Sequence, residues 1–403
     1  MSTFTDNETI KDILKSIPKN KRYSDVEDSD GKQYVDLVQE GGGTLGIALV
    51  GYTYVMESSG IRFFSLAGTS AGAINTMLMA GLGKINEAKS EKILDILGKT
   101  NLFDFVDGDK VVKKAIDKVI KKENGKVWYF ILHGLKIYNI LKKKLGLNPG
   151  AKFEKWITDL LNDAGIKTLD DLKQLRSELP EGLKNISTNE FMTDVEAKLA
   201  VITSDITTHT KTEFPRMSEL YWTNPGSISP AKLVRSSMSI PFFFEPFEVK
   251  NIPNAGTKND PKWDEHASYN GPVPSEVKFV DGGMLSNFPI NVFHRKDGGI
   301  PTRPTFGARL STFREDFSKT DNLLGMSGAM ISTMRQIYDY DFLLKNPDYS
   351  KLICKIDADG QFNWLDFNMS PDDRVRLFNL GASKAAKFLN DFNWEEYKKI
   401  RAK

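Results

Sequence analysis

The sequence predicts an α/β protein in which helices cover both faces of a mostly parallel sheet. Short apolar segments alternate with segments of helical periodicity along much of the chain, which is the pattern of strand–helix–strand units. Two of the apolar segments end in glycine-containing turns that lead directly into a helix. The length of 403 residues suits one large α/β domain with insertions, or two domains.

The composition argues against several classes of protein. The formal net charge of +2 gives no overall field that would recruit nucleic acid, so we expect no nucleic-acid partner. Cys354 is the single cysteine and cannot form a disulfide within the chain, which favours the reducing cytosol. The N-terminus lacks the apolar core of a secretory signal, and no apolar stretch is long enough to predict a transmembrane helix. We therefore expect a cytoplasmic protein that touches the inner membrane surface at most peripherally.

The first strand–turn–helix unit follows residues 1–33, which we assign to an N-terminal extension. Residues 34–38, YVDLV, predict a strand. The strand runs into GGGTLG, residues 41–46, and the apolar residues after it recur at helical spacing. The three consecutive glycines are therefore predicted to lie in a turn between a strand and a helix.

The second unit carries a candidate nucleophile. Residues 61–67 predict a short apolar strand, and GTSAG, residues 68–72, follows it and opens a helix. A G-x-S-x-G turn between a strand and a helix is the setting of a nucleophile elbow, which lifts the central serine above the sheet edge. The helix N-terminus favours negative charge that develops beside Ser70. The alternative is a turn of small residues that only packs tightly, but the flanking strand and helix favour catalysis.

The remaining chain predicts a long insertion and further strands. Residues 84–190 are mainly helical by periodicity, and residues 251–276, rich in proline, glycine and asparagine, predict a surface loop. Strands are predicted at 197–206, 242–249, 277–283 and 304–311. Residues 370–389 predict a helix that Ser370 caps, and we assign residues 391–403 to a C-terminal tail.

Two functions fit the glycine loop. Gly41, Gly43 and Gly46 stand at the G-x-G-x-x-G spacing of a dinucleotide-binding loop. Such a loop also needs an acidic residue at the end of the next strand to bind the ribose, and FSLAGTS has none there. The alternative is an oxyanion hole, because neighbouring units of a parallel sheet would place the N–H groups of Gly42 and Gly43 beside Ser70. The missing acid favours the oxyanion hole, and with it a hydrolase.

The serine needs a proton acceptor, for which the residues offer two candidates. His294 with Asp281 satisfies the serine–aspartate–histidine order of an α/β-hydrolase triad, but INVFHRK has no long loop to carry the imidazole over the sheet. In FVDGG, residues 279–283, an apolar strand ends in Asp281 and two glycines let the backbone turn sharply. This aspartate either accepts the Ser70 proton directly or belongs to a β-turn without chemistry. The elbow and the glycine loop together favour the catalytic interpretation.

The sequence resembles the patatin-like phospholipase family, in its bacterial form, over roughly residues 34–390. The marks of the family are GGGTLG, GTSAG and DGG, in the family's order. Further similar segments are AVITSDITTHTKTEF (200–214), VRSSMSIPFFFEPF (234–247), LSNFPI (285–290) and LDFNMSPDDRVRLFNLGASKAAKFL (365–389). The three motifs are specific in combination, although each alone is not.

The resemblance implies a three-layer α/β/α sandwich with a mostly parallel central sheet and a helical insertion. It implies a catalytic dyad of Ser70 and Asp281 that works without histidine. Gly41, Gly42 and Gly43 match the family's oxyanion loop. The implied reaction is hydrolysis of fatty-acyl esters of glycerophospholipids through an acyl-enzyme, with no metal and no other cofactor.

Membrane phospholipids are the implied partner, and residues 110–144 are the candidate contact. This segment combines many lysines with Trp128, Tyr129 and Phe130, which suits an anionic lipid surface. A core-packed helix pair with a solvated lysine face explains the same pattern. The family usually carries an arginine or lysine where this chain has Leu45, so this position brings no charge to attract an anion.

Other functions remain open under the same resemblance. Some bacterial relatives are membrane-degrading effectors of anti-phage defence that a nucleotide signal activates, and a catalytically silent module would keep the same fold. The sequence identifies no such switch. It leaves undetermined the oligomeric state, a homo-oligomer included, and also the lipid head group, acyl position and chain length.

Overall fold

The computed structural model describes residues 4–120, 126–295, 297–312, 320–321 and 323–402. The strands in these ranges are β1 (Val26–Glu27), β2 (Gln33–Gln39), β3 (Ile61–Thr69), β4 (Gly146–Asn148), β5 (Lys184–Asn185), β6 (Glu190–Phe191), β7 (Leu199–Asp205), β8 (Thr210–Phe214), β9 (Phe242–Phe244), β10 (Phe247–Lys250), β11 (Glu276–Asp281), β12 (Thr305–Arg309) and β13 (Ile353–Lys355). The α-helices are α1 (Glu8–Lys15), α2 (Gly46–Ser58), α3 (Ala71–Gly81), α4 (Ser90–Lys99), α5 (Lys110–Ile120), α6 (Lys126–Lys144), α7 (Ala151–Asp163), α8 (Leu169–Ser177), α9 (Ala231–Ser237), α10 (Pro261–Ala267), α11 (Leu323–Lys345), α12 (Pro371–Asp391) and α13 (Trp394–Arg401).

The central sheet is mixed, which corrects the prediction of a mostly parallel one. Its middle is parallel, in the order β13–β12–β2–β3–β7. The strands β1, β5, β6, β8, β10 and β11 join it in antiparallel pairs. Parallel neighbours need a long crossover, whereas the short turn at residues 206–209 can join β7 only to an antiparallel β8. The alternation of strands and helices in the sequence predicts parallel strands joined by long crossovers. It does not predict antiparallel strands joined by short turns.

The helix after the glycine loop, α2, is buried along nearly its whole length. It is apolar on all sides, as expected of a helix enclosed in a core. The helix α12 packs along it at two glycines. A Cβ on Gly381 would lie 1.9 Å from the Ala48 carbonyl oxygen, and a Cβ on Gly51 would lie 2.1 Å from the Phe378 carbonyl oxygen. The two backbones therefore touch, and α12 covers the helix on which the glycine loop rests.

The predicted helix at 370–389 is confirmed as α12, and Ser370 Oγ accepts a hydrogen bond from the Asp373 N–H at 3.1 Å. The single strand predicted at 242–249 is wrong. It is divided into β9, which pairs with β4, and β10, which pairs with β11, because Pro246 between them has no N–H for a ladder. The loop predicted at 251–276 contains α10, which Asp260 caps.

The predicted insertion, residues 84–190, contains α4 to α8 with β4, β5 and β6 between and after them. The first residues of the chain join the same structure, because β1 pairs with β2 and α1 contacts α12. Lys398 Nζ lies 2.9 Å from the Asp25 carboxylate, so the two ends of the chain are bound to each other. Among the described helices, none has both the length and the apolar character to cross a membrane.

Candidate active site

The pairing of three strands sets the predicted nucleophile and base close together. β3 ends at Thr69, which pairs with Ile202 of β7. The next residue of β7, Thr203, pairs with Asp281, the last residue of β11. Because β11 runs antiparallel to β7, Asp281 reaches this level of the sheet from the direction opposite to that of Ser70. Ser70, which follows Thr69, therefore lies at the same level of the sheet as Asp281, with one strand between them.

Ser70 occupies the strained turn that the elbow motif predicts. Its φ of 52° and ψ of −117° are values that residues with a side chain rarely adopt. A Cβ on Gly68 would lie 2.4 Å from the carbonyl carbon of Gly72, and a Cβ on Gly72 would lie 2.3 Å from the Gln39 carbonyl oxygen. The Ser70 N–H donates to Ser237 Oγ at 2.9 Å. The two glycines make the turn possible, and the hydrogen bond holds it in place.

The Ser70 hydroxyl is close enough to the Asp281 carboxylate to oppose its protonation, although none of the hydrogen bonds formed within the described ranges joins the two side chains. Asp281 is only 6% exposed, and this burial raises its pKa because water no longer stabilises the charged form. The charge of Arg335, the nearby Ser70 hydroxyl and the hydrogen bond from Gly283 oppose this increase. The Gly283 N–H donates to Asp281 Oδ1 at 2.8 Å. The carboxylate is thus a stronger base than an exposed aspartate.

The glycine loop lies against the serine. A Cβ on Gly41 would lie 2.6 Å from Asn287 Oδ1 and 3.1 Å from Ser70 Cβ, so no side chain fits there. The N–H of Gly41 donates to the Asn287 carbonyl oxygen at 3.0 Å, so this part of the predicted oxyanion loop already has an acceptor. In the part of the chain that the structure describes, the N–H groups of Gly42 and Gly43 have no acceptor. These two predicted donors are therefore the ones that the loop can offer to an oxyanion.

A largely apolar cavity of about 730 Å³, including the part open to solvent, begins at the serine. Its walls come mainly from α2, α3, α4 and α7. The apolar side chains from these helices and from the segment after α4 are Ile47, Val50, Ala71, Ile74, Leu78, Ile93, Leu97, Leu102, Phe105, Phe153 and Trp156. Ser70 and Gly43 also line the cavity, so an apolar chain bound in it would reach the candidate nucleophile.

The sequence matches the family model of patatin-like phospholipases over residues 37–294. This segment is more than half of the chain and contains the glycine loop, the elbow and the DGG turn. The chain belongs to the patatin-like phospholipase family. At the level of the family it is a lipid hydrolase.

Individual proteins similar to this patatin-like chain are distant in sequence. The Bacillus subtilis (strain 168) protein YqhO, described as uncharacterized, is 28% identical over 363 residues, which are 90% of this chain and 100% of YqhO. The crystal structure of VipD from Legionella pneumophila aligns with a TM-score of 0.40 and 16% identity, over 94% of this chain and 72% of that one. A chain of the ExoU–SpcU complex from Pseudomonas aeruginosa aligns with a TM-score of 0.36 and 14% identity, over 89% and 51% of the two chains.

In this patatin-like site, polar side chains that the sequence analysis does not single out connect the glycine loop to the Asp281 turn. Asn287 Nδ2 donates to Glu40 Oε1 and to the Gly41 carbonyl oxygen, both at 3.1 Å. Arg335 Nη2 donates to Asn287 Oδ1 at 2.8 Å. The loop, the asparagine and the arginine therefore form one hydrogen-bonded network beside the dyad.

The helix α11 supplies Arg335 and, one turn later, a buried carboxylate. Asp339 accepts hydrogen bonds from Ser286 Oγ and from the Phe288 N–H, both at 2.7 Å. Burial raises the pKa of Asp339 to about 7, although both hydrogen bonds favour the charged form. These bonds attach α11 to the segment that follows the DGG turn, and so hold Arg335 near Asp281.

His294, the alternative base, lies in another part of the fold. Its Nδ1 is 2.9 Å from Tyr349 Oη, and its ring packs edge-on against Phe342. It lines a polar cavity whose walls include neither Ser70 nor Asp281. The geometry of the patatin-like site therefore does not support a histidine-based triad.

The candidate membrane segment, residues 110–144, includes α5 and α6. The two helices pack on each other through a small cluster of buried side chains, Val112, Ala115 and Ile137, so core packing explains part of the pattern. Leu135 and Tyr138 of α6 are 82% and 60% exposed. Residues Lys121 and Lys122 and the side chains of Trp128, Tyr129 and Phe130 lie outside the described part of the structure.

Proposed function

We propose that this protein hydrolyses fatty-acyl esters of glycerophospholipids, as a phospholipase A, through a Ser70–Asp281 dyad. One observation carries the proposal. Ser70, on a strained elbow, lies one strand away from the buried carboxylate of Asp281 at the same level of the sheet, and the pKa of this carboxyl is raised. A serine aligned with a base is the arrangement that covalent acyl transfer requires.

In the first half-reaction, Asp281 accepts the Ser70 proton while Oγ attacks the ester carbonyl carbon. The oxyanion of the tetrahedral intermediate accepts hydrogen bonds from the N–H groups of Gly42 and Gly43. The intermediate then collapses, and the ester C–O bond breaks. The leaving alkoxide takes the proton from Asp281 and departs as the lysophospholipid, which leaves Ser70 acylated.

In the second half-reaction, Asp281 accepts a proton from water while the water oxygen attacks the acyl carbon. The same two N–H groups bind the second oxyanion. Collapse of this intermediate breaks the bond to Ser70 Oγ, which regains its proton from Asp281. The products are a free fatty acid and the original enzyme.

The oxyanion donors carry much of this catalysis, because even a strengthened carboxylate is a far weaker base than a serine alkoxide. Loss of a single oxyanion donor typically costs about 10²–10³ in rate. The burial of Asp281 helps in the same direction, since a base of higher pKa accepts the proton more readily.

The apolar cavity supports a fatty-acyl substrate. It begins at Ser70 and is bordered almost entirely by aliphatic and aromatic side chains, so it offers little to a polar acyl group. Transfer of a hydrocarbon chain from water into such a site is favourable by about 0.8 kcal/mol for each buried methylene.

A covalent probe and a product analysis test the proposal. A fluorophosphonate should label the wild-type protein but not Ser70→Ala, and mixed phospholipid vesicles should release fatty acids and lysolipids. Asp281→Asn should lower this release by about 10³–10⁴-fold. His294→Gln is the matched control and should retain activity. Labelling that persists in Ser70→Ala, or activity that depends on His294 and not on Asp281, would refute the dyad.

We also propose that residues 110–144 contact the membrane surface peripherally. Leu135 is 82% exposed on a lysine-rich helix pair, and exposed apolar side chains among basic ones suit an anionic interface. Sedimentation with vesicles that contain anionic lipid should show several-fold weaker binding for Leu135→Asn. Phe191→Asn, which alters a side chain that is 71% exposed on β6, is the control. Equal binding of both variants would favour the simple helix pair.

A further inference from the structure

We propose that Arg335 binds the phosphate of the substrate and thereby makes the site prefer phospholipids to uncharged esters. This inference rests on the proposed lipid hydrolysis and specifies its substrate class. It concerns a residue of α11, outside the three sequence motifs and beyond the segment 37–294 that matches the family model.

The first observation is the position of Arg335 relative to Asp281. A Cβ on Gly283 would lie 2.8 Å from Asp281 Oδ1 and 3.3 Å from Arg335 Nε, so the guanidinium and the carboxylate flank the same glycine. The Arg335 charge acts on Asp281 strongly enough to be the largest influence that lowers the pKa of that carboxyl. The guanidinium therefore lies beside the proposed dyad.

The second observation is the unused hydrogen-bonding capacity of Arg335. A guanidinium has five N–H donors, and one hydrogen bond from this side chain, from Nη2 to Asn287 Oδ1, is formed within the described ranges. No carboxylate in those ranges forms an ion pair with it, although it is half-buried. A partly desolvated cation without a paired anion favours an anionic ligand, and the planar donor arrangement of arginine matches a phosphate.

The third observation is the arrangement around the serine. Arg335 is not among the residues that border the apolar cavity. Its guanidinium carbon lies 5.9 Å from the centre of the Trp364 ring, and Trp364 in turn holds the glycine loop through its carbonyl oxygen, which accepts from the Thr44 N–H at 2.9 Å. A phospholipid with its acyl chain in the cavity and its ester at Ser70 would direct its head group away from the cavity. The short glycerol backbone would then place the phosphate near Arg335.

The fourth observation is that the glycine loop supplies no cation to the site, whereas α11 holds Arg335 in place. Leu45 is 1% exposed and brings no cation to the site. Asp339 fixes α11 by its hydrogen bonds to Ser286 and Phe288, so Arg335 is held in place before a substrate binds. Preorganised charge of this kind is effective in binding, because it requires little reorganisation.

The test compares two substrates with identical acyl chains, dihexanoyl phosphatidylcholine and dihexanoylglycerol, at a pH where Asp281 is ionised in every variant. Arg335→Gln should lower kcat/KM for the phospholipid by about tenfold or more, since a hydrogen bond to a charged group is lost. It should change kcat/KM for dihexanoylglycerol by less than about threefold. Arg335→Lys should restore part of the preference because it keeps the charge but not the paired donors. Arg216→Gln, which changes an exposed arginine paired with Glu213, is the control.

An equal loss on both substrates would overturn the inference, as it would show that Arg335 acts only through Asp281. An unchanged preference would overturn it as well. Both results presuppose a wild-type protein that hydrolyses at least one of the two esters. If the wild type hydrolyses neither, the proposed function itself has failed.

Discussion

Gly41 and Asn287 bind each other through two hydrogen bonds. The Gly41 N–H donates to the Asn287 carbonyl oxygen at 3.0 Å, and Asn287 Nδ2 donates to the Gly41 carbonyl oxygen at 3.1 Å. Asn287 also accepts from Arg335. A residue that follows the Asp281 turn therefore fixes the position of the loop that presents the Gly42 and Gly43 donors.

Substitution of Asn287 should impair catalysis more than substrate binding. Asn287→Ala removes the side-chain bond to Gly41 and keeps only the backbone bond, so the loop is held less firmly, and a misplacement of about 1 Å can cost about 10² in rate. We expect kcat to fall by about that factor with little change in KM, measured on a soluble ester. Asn291→Ala, in the same segment, is the control. If both variants retain full kcat, Asn287 does not position the loop.

The elbow should tolerate no side chain at Gly72. The Cβ of Gly72→Ala would collide with the Gln39 carbonyl oxygen, which belongs to the backbone of a central strand and cannot move aside cheaply. Overpacking of this kind costs about 1–3 kcal/mol of stability. We expect denaturant unfolding to show that the free energy of unfolding falls by an amount near the upper end of this range. Gly134→Ala, in α6 with nothing within 4 Å of the new Cβ, should stabilise its helix by up to about 1 kcal/mol. Equal stability of the two variants would contradict the crowded turn.

The acid side of the pH–rate profile should report Asp281. The carboxylate is the active form, and burial raises its pKa above the ordinary 3.8, so kcat/KM should decline at a pH above that value as the solution is acidified. Arg335 lowers the pKa of Asp281, so Arg335→Gln should move the decline to still higher pH. A shift to lower pH, or a decline at or below pH 3.8 in the wild type, would exclude Asp281 as the base.

Asp339 should make the free energy of unfolding depend on pH. Its pKa is about 7 in the folded chain against an ordinary 3.8, so the native state binds a proton more tightly than the unfolded state does. This contribution to stability is complete below about pH 4 and is lost as the pH rises through 7. Asp339→Asn should remove it, so the difference in unfolding free energy between pH 5 and pH 8 should change relative to the wild type. If the free energy of unfolding depends on pH identically in both proteins, burial does not raise the pKa of Asp339.

The motifs that the sequence could locate are local ones. Ser70, the glycine loop and Asp281 each follow an apolar strand within a few residues, so the pattern of strand, turn and helix identifies them. Strand direction is not encoded in such patterns, which is why the sheet was predicted as mostly parallel although β11 is antiparallel. Arg335 lies far along the chain in a helix without a motif, and only tertiary packing brings it to Asp281. Within the loop predicted at 251–276, Asp260 and Pro261 form a helix-start signal, and α10 begins there.

The apolar cavity should determine which acyl chains are hydrolysed. Leu97 of α4 lines the cavity, whereas its neighbour Ile96 does not, although both are half-buried. Leu97→Trp would fill part of the space, and an acyl chain can enter only the volume that remains. We expect kcat/KM for p-nitrophenyl palmitate to fall at least about tenfold relative to p-nitrophenyl butyrate, because several methylenes lose their apolar surroundings at about 0.8 kcal/mol each. Ile96→Trp should leave the ratio of the two substrates unchanged. A ratio that responds equally to both substitutions, or to neither, would mean that the acyl chain binds elsewhere.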